Sequence, residues 1–153
     1  MHETDALHIR RLTAEDLEPL HRLLSDPAVM RYLEPPFTRA QTEAFLQKAG
    51  MGREPLIRAV EDGRGFAGYV IYHPYDETSM ELGWVLASDR WGRGYALALT
   101  RQMICRARES GRDAVIECHP QQAATRHIAE KLGFRPCGMD GGCCVYRLAG
   151  KNE

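Results

Sequence analysis

No stretch of these 153 residues reaches the roughly 18 consecutive apolar positions that a membrane-spanning helix requires. The N-terminal MHETDALHIR also lacks the apolar core of a signal peptide, so a cytoplasmic location away from membranes is expected. Neither sign of charge dominates: 20 Lys and Arg against 21 Asp and Glu leave a net −1, and no global field favours nucleic acid or an anionic bilayer as partner. The five cysteines (Cys105, Cys118, Cys137, Cys143, Cys144) are odd in number and include an adjacent pair, which suits neither a disulfide framework nor a zinc knuckle. Reduced thiols are expected. The six histidines are scattered, and His119 and His127 lack the partners a metal site would need, so no metal is expected.

Two nucleotide signatures are also absent. No Gly-x-x-x-x-Gly-Lys-Ser/Thr run occurs, which excludes a P-loop, and the sixth residue counted from Gly92 is Leu97, so Gly-x-Gly-x-x-Gly/Ala fails too.

What is present reads as one mixed α/β (α+β) domain over residues 1–153, with 44% hydrophobic residues to bury roughly two-thirds of the unfolded surface. Leu7 to Leu12 alternates as a first strand. Thr13 caps a helix to about Leu24, with Asp16 at the capping-box position and Leu17, Leu20, Leu23 and Leu24 inward. Pro27 opens a short helix that Pro35-Pro36 ends, and Thr38 opens another to about Ala49 with Ala44, Phe45 and Lys48 near its inner face. A meander follows: Leu56–Glu61, Gly65–His73 and Ser79–Ala87, with turns at Asp62-Gly63 and at Pro74-Tyr75-Asp76-Glu77. Gly111 ends a central helix, Ala114–Cys118 is a strand, Ala123–Leu132 a helix with Ile128, Ala129 and Leu132 inward and Gly133 at its C′ position, and Cys143–Leu148 closes the sheet.

The chain is organised around Gly83–Arg108, which reads as strand, glycine loop and long helix in succession. Leu97, Thr100, Arg101, Ile104 and Cys105 recur at near-helical spacing after Gly92 and Gly94. A glycine loop at a helix start delivers unpaired amides and the positive end of the helix dipole to an anion, and Arg90 and Arg93 add charge at its edges. The glycine pair alone fits an ordinary strand-to-helix turn equally well.

The run WGRGYA (Trp91, Gly92, Arg93, Gly94, Tyr95, Ala96) resembles the Gln/Arg-x-x-Gly-x-Gly/Ala motif of the GNAT acetyltransferases from its second position onward, with Trp91 standing where Gln or Arg is usual, a form similar to the branch of ribosomal-protein N-terminal acetyltransferases. A second run, HPQQAATRHIAEKLGF, is similar to that branch's His-Pro-x-Asn-x-x-Ser followed by Glu-Lys-Leu-Gly-Phe. His119, Pro120 and Glu130–Phe134 match it, with Gln122 for Asn and Thr125 for Ser. The resemblance implies a mostly antiparallel central sheet of about six to seven strands flanked by about four to five helices. It implies acetyl-CoA as co-substrate, held by Trp91–Ala96, by backbone near Val85 and Leu86, and by the Gln122 amide. An amine acceptor, a small molecule or a protein N-terminus, sits under the two early helices near Arg31, Tyr32, Glu34 and Phe37. A monomer or homodimer is expected.

Acetyl transfer requires a neutral amine. Deprotonating a lysine at pH 7 costs about 4.6 kcal/mol and an N-terminal amine about 1 kcal/mol, so a base is useful. Glu117 occupies the place where some family members carry a catalytic glutamate, and Glu81 lies on the strand that forms the other wall. A backbone N–H near Val85 is the expected oxyanion donor. The tyrosine that many members place before Lys-Leu-Gly-Phe is Ala129 here. Thr125 is the candidate substitute acid, and departure without an acid is the alternative, a thiol of pKa about 8.5 being a fair leaving group. The missing tyrosine leaves a second reading open, a non-catalytic acyl-CoA-binding module on the same fold.

Overall fold

The computed structural model describes residues 7–150, so residues 1–6 of the segment inspected for a signal peptide lie outside the described residues. One seven-stranded sheet runs through the chain in the order β1-β2-β3-β4-β5-β7-β6, with strands β1 (His8–Arg10), β2 (Ile57–Asp62), β3 (Gly65–Asp76), β4 (Ser79–Leu86), β5 (Asp113–Cys118), β6 (Arg135–Asp140) and β7 (Cys143–Leu148). Among the described residues five α-helices accompany it: α1 (Leu17–Leu24), α2 (Pro27–Met30), α3 (Arg39–Phe45), α4 (Tyr95–Glu109) and α5 (Ala123–Lys131). Ladders β1–β2, β2–β3, β5–β7 and β6–β7 are antiparallel and β4–β5 is parallel, the mostly antiparallel mixed sheet that was expected. Residue contacts divide the chain into two compact units, residues 1–71 with 84–95 and residues 72–83 with 96–153.

In the first unit, α1 buries its leucine stripe with the turn after α3, β2 and β3 in a core of Leu12, Leu20, Leu23, Leu24, Met30, Leu46, Ile57, Tyr69 and Val85. The Thr13 cap holds: Asp16 Oδ2 accepts the Thr13 N–H at 2.8 Å, although the helix opens with a 3-10 turn over Ala14–Asp16. At Thr38 the box is reciprocal, Thr38 Oγ1 accepting from Gln41 N at 3.2 Å and Gln41 Oε1 from Thr38 N at 2.8 Å. The helix after it passes into a π-turn at Leu46–Gly50, and its inner face follows Thr42, Leu46 and Ala49, whereas Ala44 and Lys48 are exposed, contrary to expectation. Gly68 (φ 148°) lets β3 approach β4, since a Cβ there would sit 2.1 Å from the Val85 carbonyl oxygen.

In the second unit, β5 lies between β4 and β7 and its Ala114, Val115 and Ile116 are buried. α4 turns Leu99, Thr100, Met103, Ile104 and Ala107 inward, while Arg101 and Cys105, expected on the same stripe, are exposed. The spacing of one apolar and one polar residue per turn left that stripe's rotation ambiguous. β3 also continues to Asp76, through the Pro74-Tyr75 segment read as a turn, because the reversal is made by Glu77-Thr78 instead. Gly133 (φ 89°) closes α5 as expected: Phe134 N donates to Ala129 O at 2.9 Å and Gly133 N to Glu130 O at 3.1 Å.

Candidate active site

The glycine loop belongs to the first unit. After β4, Ala87 N donates to Ala67 O at 2.9 Å, a 3-10 turn covers Ser88–Arg90, and α4 begins at Tyr95. Between them Gly92 (φ 74°) and Gly94 (φ 79°) adopt the left-handed conformation that side chains resist, and a Cβ at Gly92 would touch nothing within 4 Å, so its backbone lies open. The first four N–H groups of a helix have no partner within it, so an open glycine loop ahead of α4 is a cradle suited to a phosphate. Trp91 is half exposed, and its Nε1 donates to Leu86 O at 2.9 Å, which engages one of the backbone groups expected to meet the ligand. Val85 and Leu86 are buried, as is Tyr95, while Arg93 and Ala96 are half-buried.

Arg90 does not add free charge to the loop edge, a correction to expectation. Its Nε and Nη2 donate to Asp62 at 2.8 and 3.1 Å and its Nη1 to Asp89 at 3.1 and 3.0 Å, and the residue is 8% exposed. A guanidinium committed to two carboxylates in fork geometry is not available to a ligand.

The carboxylates belong to the second unit. Ladder pairs between β4 and β5 comprise Ser79–Glu81 with Asp113–Val115; beyond them Ile116–Cys118 pair with Cys144–Tyr146 of β7. Glu81 and Glu117 thus sit just at and just past the end of this parallel pairing. Burial pushes the Glu81 carboxyl above the usual carboxylate range, and the negative charge of Glu117 adds to this, whereas His73 opposes it. His73 Nε2 stands 3.7 Å from Glu81 Oε1. The other nitrogen, Nδ1, lies 2.9 Å from the carbonyl oxygen of Pro74, which can only accept, so Nδ1 carries a proton and Nε2 faces the carboxylate.

Tyr75 donates its hydroxyl to the Glu117 carboxylate, and this bond, with burial and with the negative charges of Glu117, Asp140 and Glu81, pushes the phenol up to about 12. The same three carboxylates, after burial, hold the Cys143 thiol above its ordinary range. His73 and Tyr75 are site residues that sequence reasoning missed. Alternation carried past Tyr72 would have continued β3 through them, but Pro74 and Asp76 outweighed it.

Gln122 Oε1 accepts the His119 N–H at 2.8 Å, so the amide oxygen caps its own loop, and Thr125 is half-buried on the first turn of α5. Ala129 is fully buried and offers no hydroxyl. Among the described residues no group of three or more His, Cys, Asp or Glu is arranged to hold a metal ion, and no helix is long and apolar enough to cross a membrane.

These features fit an acyltransferase fold, and the sequence agrees: the profile of the acetyltransferase (GNAT) domain matches residues 6–135. The chain belongs to the GNAT acetyltransferase family. Among its relatives is the uncharacterized N-acetyltransferase YnaD of Bacillus subtilis, 26% identical over 145 residues that cover 92% of this chain and 85% of that protein. A GNAT-family acetyltransferase structure from Bacillus anthracis superposes with a TM-score of 0.79 at 25% identity, over 95% of both chains. The spermidine N-acetyltransferase of Vibrio cholerae, solved with CoA and spermine, shares the fold with a TM-score of 0.75 at 22% identity, over 94% of both chains.

Proposed function

We propose that the protein is an acetyl-CoA-dependent N-acetyltransferase, its two units acting as one domain over residues 1–153. The observation that carries this reading is the open glycine loop Trp91–Gly94 ahead of α4, in a chain of this family. Gly92, Gly94 and the first turn of α4 would hold the pyrophosphate of acetyl-CoA, with Trp91, Arg93, Tyr95 and Ala96 shaping the cradle and Val85, Leu86 and Gln122 contributing backbone and amide groups along the pantetheine. When bound, acetyl-CoA supplies an activated thioester.

The acceptor is a primary amine. A carboxylate takes one of its protons, the nitrogen bonds to the thioester carbon, and the carbon–sulfur bond breaks to release CoA thiolate. Glu81 and Glu117 are the two bases. Glu81 is supported by its raised basicity and by His73, which can carry the proton onward from Nε2. Glu117 is supported by Tyr75, which orients it. Tyr75 does not serve as the acid: moving a proton from a phenol at about 12 to a thiolate near 8.5 is uphill by about 5 kcal/mol. Thr125, with an ordinary alcohol, is weaker still, and the thiolate leaves unaided.

Two acceptor classes follow from different observations. The form Trp-Gly-Arg-Gly-Tyr-Ala resembles that of ribosomal-protein N-terminal acetyltransferases and supports a protein N-terminus. Glu81, Glu117 and Asp140, all acting on Tyr75, support a cationic small amine, which they would attract. Cytoplasmic metabolite pools contain both.

The test is mass-spectrometric detection of CoA and acetylated product from acetyl-CoA mixed with polyamines, amino acids and short N-terminal peptides. A product establishes the activity and names the acceptor class. Binding of acetyl-CoA with no turnover on any of them would instead favour the non-catalytic acyl-CoA-binding module, for which the missing tyrosine at Ala129 speaks.

A further inference from the structure

We infer that Asp62, a residue outside the family motifs, is the positioning residue of the phosphate cradle: its buried carboxylate clamps the glycine loop at both ends. This rests on the reading of that loop as the acetyl-CoA pyrophosphate site.

The carboxylate ends β2 and its side chain is 3% exposed. Oδ2 accepts from Arg90 Nε at 2.8 Å and from the Tyr95 hydroxyl at 2.9 Å. Oδ1 accepts from Arg90 Nη2 at 3.1 Å and from Arg64 N at 2.9 Å. A carboxylate has about four lone-pair sites, so these four donors saturate it. Arg90 is the residue just before Trp91, and Tyr95 is the first residue of α4. One side chain therefore fixes both boundaries of the four-residue stretch Trp91–Gly94, and the Trp91 indole pins a third point on Leu86 O.

A loop with two left-handed glycines is otherwise free to scatter its amides, and ordering it on binding would cost affinity. With both ends held, the amides are aimed before the ligand arrives. Arg90 pairs with Asp62 and also with Asp89, so its guanidinium serves the clamp rather than the ligand.

The experiment compares acetyl-CoA with S-acetyl-pantetheine, which has no phosphate, by calorimetry and competition on the full chain. For Asp62→Asn, which keeps the shape but breaks the ion pair, we expect acetyl-CoA affinity to fall about tenfold or more and S-acetyl-pantetheine affinity to stay as in wild type. In turnover assays the change falls on KM for acetyl-CoA. Tyr95→Phe removes one donor, leaves the ion pair, and is expected to shift acetyl-CoA affinity about threefold; it carries the test if Asp62→Asn does not fold. Unchanged acetyl-CoA affinity in a folded Asp62→Asn, or equal losses for both ligands, overturns the clamp. Failure is distinguishable in wild type: if acetyl-CoA binds no more tightly than S-acetyl-pantetheine, or not at all, the loop is not the phosphate site, and the reading beneath the inference falls with it.

Discussion

Around Asp62, each charged atom meets a partner: four donors on one carboxylate and two carboxylates on one guanidinium. Around Tyr75 the balance is different. Glu81, Glu117 and Asp140 push the phenol upward together, Glu117 raises Glu81, and the opposing influence on Glu81 is a histidine at 3.7 Å. The first region is over-determined and geometrically rigid, which suits holding a fixed anion. The second sets carboxylates together and holds Glu81 above the usual carboxylate range, which suits moving a proton and attracting a cation. Saturated charge is a positioning device, and frustrated charge is a chemical one.

Replacing a carboxylate of the second region should have the largest effect. Glu81→Gln is expected to lower kcat by about a hundredfold or more while the calorimetric affinity for acetyl-CoA stays unchanged, and Glu117→Gln does the same if it shares the work. Whichever variant keeps wild-type kcat is removed from the mechanism, and if both do, the contrast between the regions fails.

The complementary perturbation is Gly94→Val in the first region. A branched side chain at φ 79° both strains the loop and fills the cradle, so acetyl-CoA affinity should fall about a hundredfold with the melting transition still cooperative. Retained affinity in a folded variant removes the phosphate assignment.

The subtlest effect is on pH. Because burial holds Glu81 protonated to a higher pH than an ordinary carboxyl, kcat/KM should decline as pH falls through that raised value. His73→Ala removes the partner that opposes this rise, so the acidic limb moves upward and activity on the limb drops a few-fold. A limb that stays in place shows that His73 does not act on Glu81. Asp62 gives the opposite sign for stability: its carboxyl is held well below the usual range, so the stabilisation is present above about pH 3.9 and is lost as pH falls below it.

Much of this molecule was legible without coordinates. Thr13 with Asp16, Thr38 with Gln41, Gly133 after α5 and the meander of β2 to β4 each depend on partners within a few residues, and the two motifs around Gly94 and Leu132 name the family. Short-range chemistry acts in any fold, so it shows in the order of residues. The rotation of α4, the π-turn at Leu46–Gly50 and the reach of β3 through Tyr75 did not, because packing against distant elements decides them.

The chemistry divides along the same line. Residue order alone determined the glycine loop, the carboxylates at 81 and 117 and the loss of the usual tyrosine at Ala129. Only the tertiary structure committed Arg90 to Asp62 across 28 positions, tied Tyr95 to the same carboxylate across 33, and set His73 and Tyr75 against Glu81 and Glu117. A side chain's identity states what it can donate or accept. Whether it acts as ligand, clamp or base depends on the burial and the partners that the fold brings to it.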